Sequence, residues 1–197
     1  MSYIFVVMGK SASGKDTIYK RLADELKLRT VVSYTTRPIR EGEKNGQEYY
    51  FVTKDQFEEK LQSNQVIESR TYDTVYGKWT YFTLQDHQID LSHNDYIMIG
   101  TLESFEQIQQ YYGNEAVVPI YIEVENGLRL ERALKREKNQ SYPKYEEMCR
   151  RFLADEEDFA ESKINALNIR HRYENIELCS CIENIKKELC RMGIEER

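Results

Sequence analysis

Apolar and polar positions along the chain follow two periods, and the switch between them marks the elements. Tyr3 to Met8 form an unbroken run of β-formers, the pattern of a buried strand. Ile18, Leu22 and Leu26 then recur at spacing four among charged residues, one stripe of an amphipathic helix. Arg29 to Tyr34 reads as a second strand centred on Val31 and Val32, and Tyr49 to Val52 as a short one. Between them Pro38 interrupts regular structure and 41–48 is a polar loop. Lys54 to Asn64 has Phe57 and Leu61 on one helical face and Thr53 as its N-cap. Val66 to Tyr72 alternates as a strand, and 75–82 follows as a turn and a further strand.

The buried-strand pattern returns at Tyr96 to Gly100 and at Val117 to Val124, where Pro119 constrains the ladder bonding. Helices are expected over Leu102–Tyr112, Leu128–Lys138 and, after a break at Asn139 to Pro143, Lys144–Ala166. Ile176 to Cys179 reads as a last strand, and Ile182, Ile185, Leu189 and Met192 as the apolar face of a closing helix. Strands alternating with helices predict an α/β fold: a parallel sheet with helices on both sides, and a small α/β block over 33–83 inserted in it. Ligands of such sheets sit at the carboxyl ends of the strands.

A length of 197 residues predicts one domain with a real core. The formal net charge of −6 argues against a nucleic-acid polymer as partner, while leaving room for a local basic cleft. No apolar run is long enough to span a membrane. Met1 leads directly into the first strand, so no leader peptide is expected and the location read from the sequence is the cytosol. Cys149, Cys179, Cys181 and Cys190 lack metal-ligand spacing and read as free thiols. His87, His93 and His171 are scattered and read as surface residues. Fifteen tyrosines are unusual; each combines an apolar ring with a hydroxyl suited to phosphate contacts.

Between the first strand and the first helix lies Gly9-Lys10-Ser11-Ala12-Ser13-Gly14-Lys15-Asp16-Thr17, which matches G-x-x-x-x-G-K. Strand, glycine loop and helix form a phosphate cradle. Backbone N–H groups converge on an anion, the helix N-terminus adds partial positive charge, and Lys15 reaches the β- and γ-phosphates of ATP. The hydroxyl residue that usually follows the lysine and binds Mg²⁺ is Asp16 here. A carboxylate is itself an oxygen ligand for Mg²⁺, directly or through water.

With these residues and the segment Ser33-x-Thr35-Thr36-Arg37-Pro38-x-Arg40-x-Gly42-Glu43-x-x-Gly46-x-x-Tyr49-x-Phe51, the chain resembles the guanylate kinase family of P-loop nucleoside monophosphate kinases. The resemblance implies a P-loop NTPase-type three-layer core over about 1–32, 84–125 and 156–197, an NMP-binding subdomain over 33–83 and a helical lid over 126–155. It implies ATP-dependent phosphorylation of GMP or dGMP with Mg²⁺. Gly9, Ser11, Ala12, Ser13, Gly14, Lys15, Asp16 and Thr17 would hold ATP. Arg37, Arg40, Tyr49 and Tyr76 fall where members hold the acceptor phosphate, Glu68 where a carboxylate accepts from guanine N1–H and N2–H, and Ser33 where a hydroxyl contacts the base. Arg132, Arg136 and Arg151 match lid arginines; Arg150 stands beside the last of them. Lys15, Arg37 and these lid arginines are the catalytic set implied. Three positions depart from the pattern: Asp16, Lys78 at a base-contacting hydroxyl position, and Gly100 where an acidic residue is usual, with Glu103 nearby. They leave two other readings: a kinase for another acceptor such as ribose 1,5-bisphosphate, or a non-catalytic binding module.

Overall fold

The computed structural model describes residues 2–40, 42–74 and 76–194. Its centre is a five-stranded parallel sheet in the order β2 (Arg29–Thr30), β7 (Tyr96–Ile99), β1 (Ile4–Met8), β8 (Val117–Glu123), β9 (Arg172–Glu174). The continuous apolar run of β1 is explained by burial on both faces. Phe5 and Val7 pack with Ile18 and Leu22 of α1 (Lys15–Glu25) and with Ile182, Ile185 and Leu189 of α7 (Leu178–Arg191). Ile4, Val6 and Met8 face the other layer, with Phe105 and Ile108 of α3 (Leu102–Tyr112) and Ile164 of α6 (Glu161–Ala166). Pro119 is tolerated because β9 pairs with β8 only from Tyr121 to Glu123, so the proline lies on an open stretch of edge.

A second, four-stranded sheet has the order β4 (Tyr50–Phe51), β3 (Tyr34–Thr35), β6 (Gly77–Leu84), β5 (Val66–Thr74). It is stapled by rings: Tyr34 stacks between Tyr50 at 4.8 Å and Phe82 at 5.4 Å, and Phe57 of α2 (Lys54–Gln62) meets Phe82 at 4.7 Å. Much of the tyrosine enrichment is spent here. Helices α4 (Asn126–Lys138) and α5 (Tyr145–Asp158) pack against each other beside the glycine loop.

Three expectations are corrected. The strand expected from Arg29 to Tyr34 is divided between the two sheets: Arg29–Thr30 joins β7, and Tyr34–Thr35 joins β6. The helix expected over 144–166 breaks at Phe159 and Ala160, where Ala160 turns extended and Phe159 is buried against Tyr121. The last strand is Arg172–Glu174, not 176–179; Glu177 instead caps α7 by accepting from the backbone N–H groups of Cys179 and Ser180.

Candidate active site

The glycine loop joins the carboxyl end of β1 to the N-terminus of α1. Gly14 has φ +85° and a Cβ there would lie 2.4 Å from Asn175 Nδ2, so both conformation and space demand glycine. Asn175 is buried, and its amide donates to Ser13 O at 2.7 Å, fixing the loop from the far edge of the sheet. Burial depresses the Lys15 ammonium pKa; Asp16 and Asp155 oppose that shift, while Arg151 and Arg136 reinforce it. Arg136 and Arg151 therefore lie within electrostatic range of Lys15. Three cations around one loop repel each other, and a polyphosphate is the ligand that relieves this.

A second layer of contacts ties the loop to α4 and α5. Arg129 is 0% exposed. Its Nε donates to Ser11 O at 3.0 Å, Nη2 to Asp155 at 2.9 Å and Nη1 to Glu156 at 2.9 Å. Asp155 in turn accepts from the Ser11 N–H at 2.7 Å, and Lys10 donates to Glu156 at 2.6 Å. Motif reading missed this network, although Arg129, Ala133 and Glu137 at spacing four form the buried stripe of α4.

On the small sheet, Arg37 is buried and held by Glu43 through two bonds of 2.7 and 2.6 Å, beneath the rings of Tyr49 and Phe51 at 5.1 and 5.2 Å. Burial works against the Arg37 charge, but Glu43, Tyr81 and Tyr49 more than offset it, so its pKa rises. Arg37 is buried with Glu43 as its anchor, while Arg40 is exposed. Glu68 is 1% exposed and bonded to Arg70 and Thr83, and Ser33 is also buried. Neither Arg70 nor Thr83 carries a motif signature; the signal was the Glu-x-Arg alternation, which places both charges on one face of a strand.

A cavity of about 780 Å³ joins the glycine loop to the β5–β6 hairpin tip and to α4 and α5. Ser11, Arg40, Tyr76, Arg136 and Arg151 all line it, together with Trp79 and Lys144, and the buried Arg37 does not. Tyr76 is 70% exposed, stacks on Trp79 and carries Lys144 of the α4–α5 connection 5.9 Å from its ring. Arg150 lines the cavity as well, with its guanidinium engaged along its own helix by Glu147 at 2.7 and 2.8 Å. Arg132 is set apart, donating to Ile176 O at 3.1 Å. Lys78 is not brought to Glu68: the β5–β6 register pairs it with Asp73, on the opposite face from the Glu68–Thr83 pair and five residues along the strand. Its side chain is 71% exposed and reaches Asp73 at 3.9 Å. Gly100 has a packing reason: a Cβ there would lie 2.6 Å from Val6 Cγ1 and 2.7 Å from Ser104 Oγ.

The family model described as guanylate kinase matches residues 1–164 of the chain. The chain belongs to the guanylate kinase family. It is 27% identical over 196 residues to the guanylate kinase of Porphyromonas gingivalis, covering 97% of this chain and 98% of that one. A guanylate kinase of Clostridium tetani is 34% identical over 111 residues, 55% of this chain and 51% of the relative. The crystal structure of guanylate kinase from Anaplasma phagocytophilum superimposes with a TM-score of 0.65 at 21% identity, covering 98% of this chain and 87% of that chain. Guanylate kinases thus share this mixed α/β fold with its parallel central sheet.

Proposed function

We infer that the chain transfers the γ-phosphoryl group of ATP to GMP or dGMP, releasing ADP and GDP or dGDP. The carrying observation is the single cavity lined by Ser11 of the glycine loop, Arg40 and Tyr76 of the small-sheet side, and Arg136 and Arg151 of the α4–α5 side. In-line transfer needs two phosphate sites facing each other and cations between them. The loop amides and Lys15 hold the donor phosphates. Arg40 and Tyr76 hold the acceptor phosphate, with Arg37 as a buried positive charge behind them. Arg136 and Arg151 neutralise the charge that spreads over the transferring group.

The bond from the γ-phosphorus to its bridging oxygen breaks, and one to an acceptor phosphate oxygen forms. ADP leaves with the bridging electrons, and a dianionic acceptor gives up no proton. Asp16, an exposed carboxylate on the first turn of α1, suits Mg²⁺, which takes one or two carboxylates beside substrate phosphates. Bound there, Mg²⁺ would offset phosphate charge. The lid is assigned to 126–155 and the acceptor subdomain to 33–83; closure of one on the other excludes water and protects ATP from hydrolysis. A sugar bisphosphate has no base for the buried Glu68 to read, and the intact loop argues against a binding module.

Lys15→Ala tests the donor assignment. ADP release is expected to fall at least about a hundredfold, with thermal unfolding unchanged. Retained turnover would remove Lys15 from the chemistry.

A further inference from the structure

Glu68 and Arg70 stand two residues apart on β5, and Thr83 is the cross-strand partner of Glu68 on β6. Arg70 Nη1 donates to Glu68 Oε2 at 2.8 Å, and Thr83 Oγ1 donates to Glu68 Oε1 at 2.8 Å. All three side chains are buried. An ionised carboxylate has about four acceptor positions on its two oxygens. These donors take one on each oxygen and leave one on each. That pair is what guanine N1–H and N2–H require. Adenine offers an acceptor at N1 beside a donor at N6, so it cannot satisfy two acceptors at once.

We propose that Arg70, seconded by Thr83, sets purine specificity: its guanidinium and the Thr83 hydroxyl hold the Glu68 carboxylate from both oxygens and fix the plane in which guanine is read. The inference rests on the assignment of Glu68 as the base contact. Arg70 is a positioning residue, acting through Glu68.

The other charged and titratable groups around the pair do not supply a competing cation. Tyr49 and Tyr72 lie within electrostatic range of Arg70, and the Tyr81 ring of β6 is 5.9 Å from its guanidinium. Burial raises the pKa values of Tyr49 and Tyr72, which keeps these phenols neutral. Beyond Tyr72, Asp158 of α5 and Glu103 of α3 add negative charge. Arg37 acts on Tyr49 but is already bonded to Glu43. Burial works against the Arg70 charge; its neighbours, foremost the Glu68 carboxylate, more than offset this, so its pKa rises and the guanidinium stays protonated.

The test compares GMP and AMP as acceptors, with excess ATP and Mg²⁺. Arg70→Met removes the guanidinium at similar length. The GMP-to-AMP ratio of kcat/KM is expected to fall about tenfold or more, through a raised KM for GMP with the KM for ATP unchanged. Arg70→Lys is expected to restore most of the ratio. Equal losses with both acceptors, or no rescue by lysine, would overturn the proposal. Should Arg70→Met not fold, Thr83→Val carries the test: a raised KM for GMP with an unchanged KM for ATP supports it, and an unchanged KM for GMP overturns it. Glu68→Gln checks the underlying assignment. If it abolishes the GMP preference while Arg70→Met keeps a wild-type ratio, only the role of Arg70 falls. If it leaves the preference intact, the assignment of Glu68 and the inference fall together.

Discussion

Arg129 is the largest fully buried side chain in the molecule, and it is a cation. Its guanidinium is matched donor by donor to Ser11 O, Asn126, Asp155 and Glu156, under the ring of Phe152 at 4.7 Å. A buried charge is tolerable only when paired and hydrogen-bonded. Removing one partner leaves the others uncompensated, which costs more than the pair itself contributes. Asp155 and Glu156 keep some contact with water, so the lower end of the usual penalty applies. Arg129→Met is expected to lower unfolding stability by about 3 kcal/mol, read from urea denaturation. A loss below about 0.5 kcal/mol would show that the loop does not depend on this anchor.

At the scale of elements, the N-terminus of α7 offers a pH test. Glu177 accepts from two backbone N–H groups there, and those bonds depress its pKa to about 2. A carboxylate with a depressed folded value stabilises the fold above its unfolded pKa of about 4.3. That contribution fades as the pH falls through about 2. Wild type is therefore expected to lose more stability than Glu177→Gln over this acid window, and to match its slope near neutrality. Parallel curves throughout would remove the cap from the acid response. The same cap explains a misreading: Ile176 to Cys179 looks like a strand because β-formers surround Glu177, whereas two side-chain bonds start a helix there.

Elements with a strong period, such as β1, α3 and the Thr53-capped α2, were legible in the sequence because the pattern is local. The division of 29–35 between two sheets was not, because pairing partners tens of residues away decide it. The glycine loop and the arginine-rich segment were likewise visible as motifs. The groups that hold the loop, Asn175, Asp155 and Glu156, came together only through folding. Lys78 shows the converse: its place in the motif aligns with a base contact, but strand register turns it to the other face.

For the whole molecule, the glycine loop of the parallel sheet, the small sheet and the α4–α5 pair all line one cavity. Lys144 near the Tyr76 ring already joins the hairpin tip to the helical side, and the Arg129 network joins that side to the glycine loop. The arrangement commits the molecule to two phosphate-bearing ligands at once, one read by its triphosphate and one by its base. The most direct test is a coupled ADP-release assay with ATP and Mg²⁺, offering GMP, dGMP, AMP, CMP, UMP and ribose 1,5-bisphosphate in turn, with a no-acceptor control. The account predicts turnover with GMP and dGMP and little release without acceptor. Silence with GMP alongside turnover with another acceptor, in a folded protein, would contradict it.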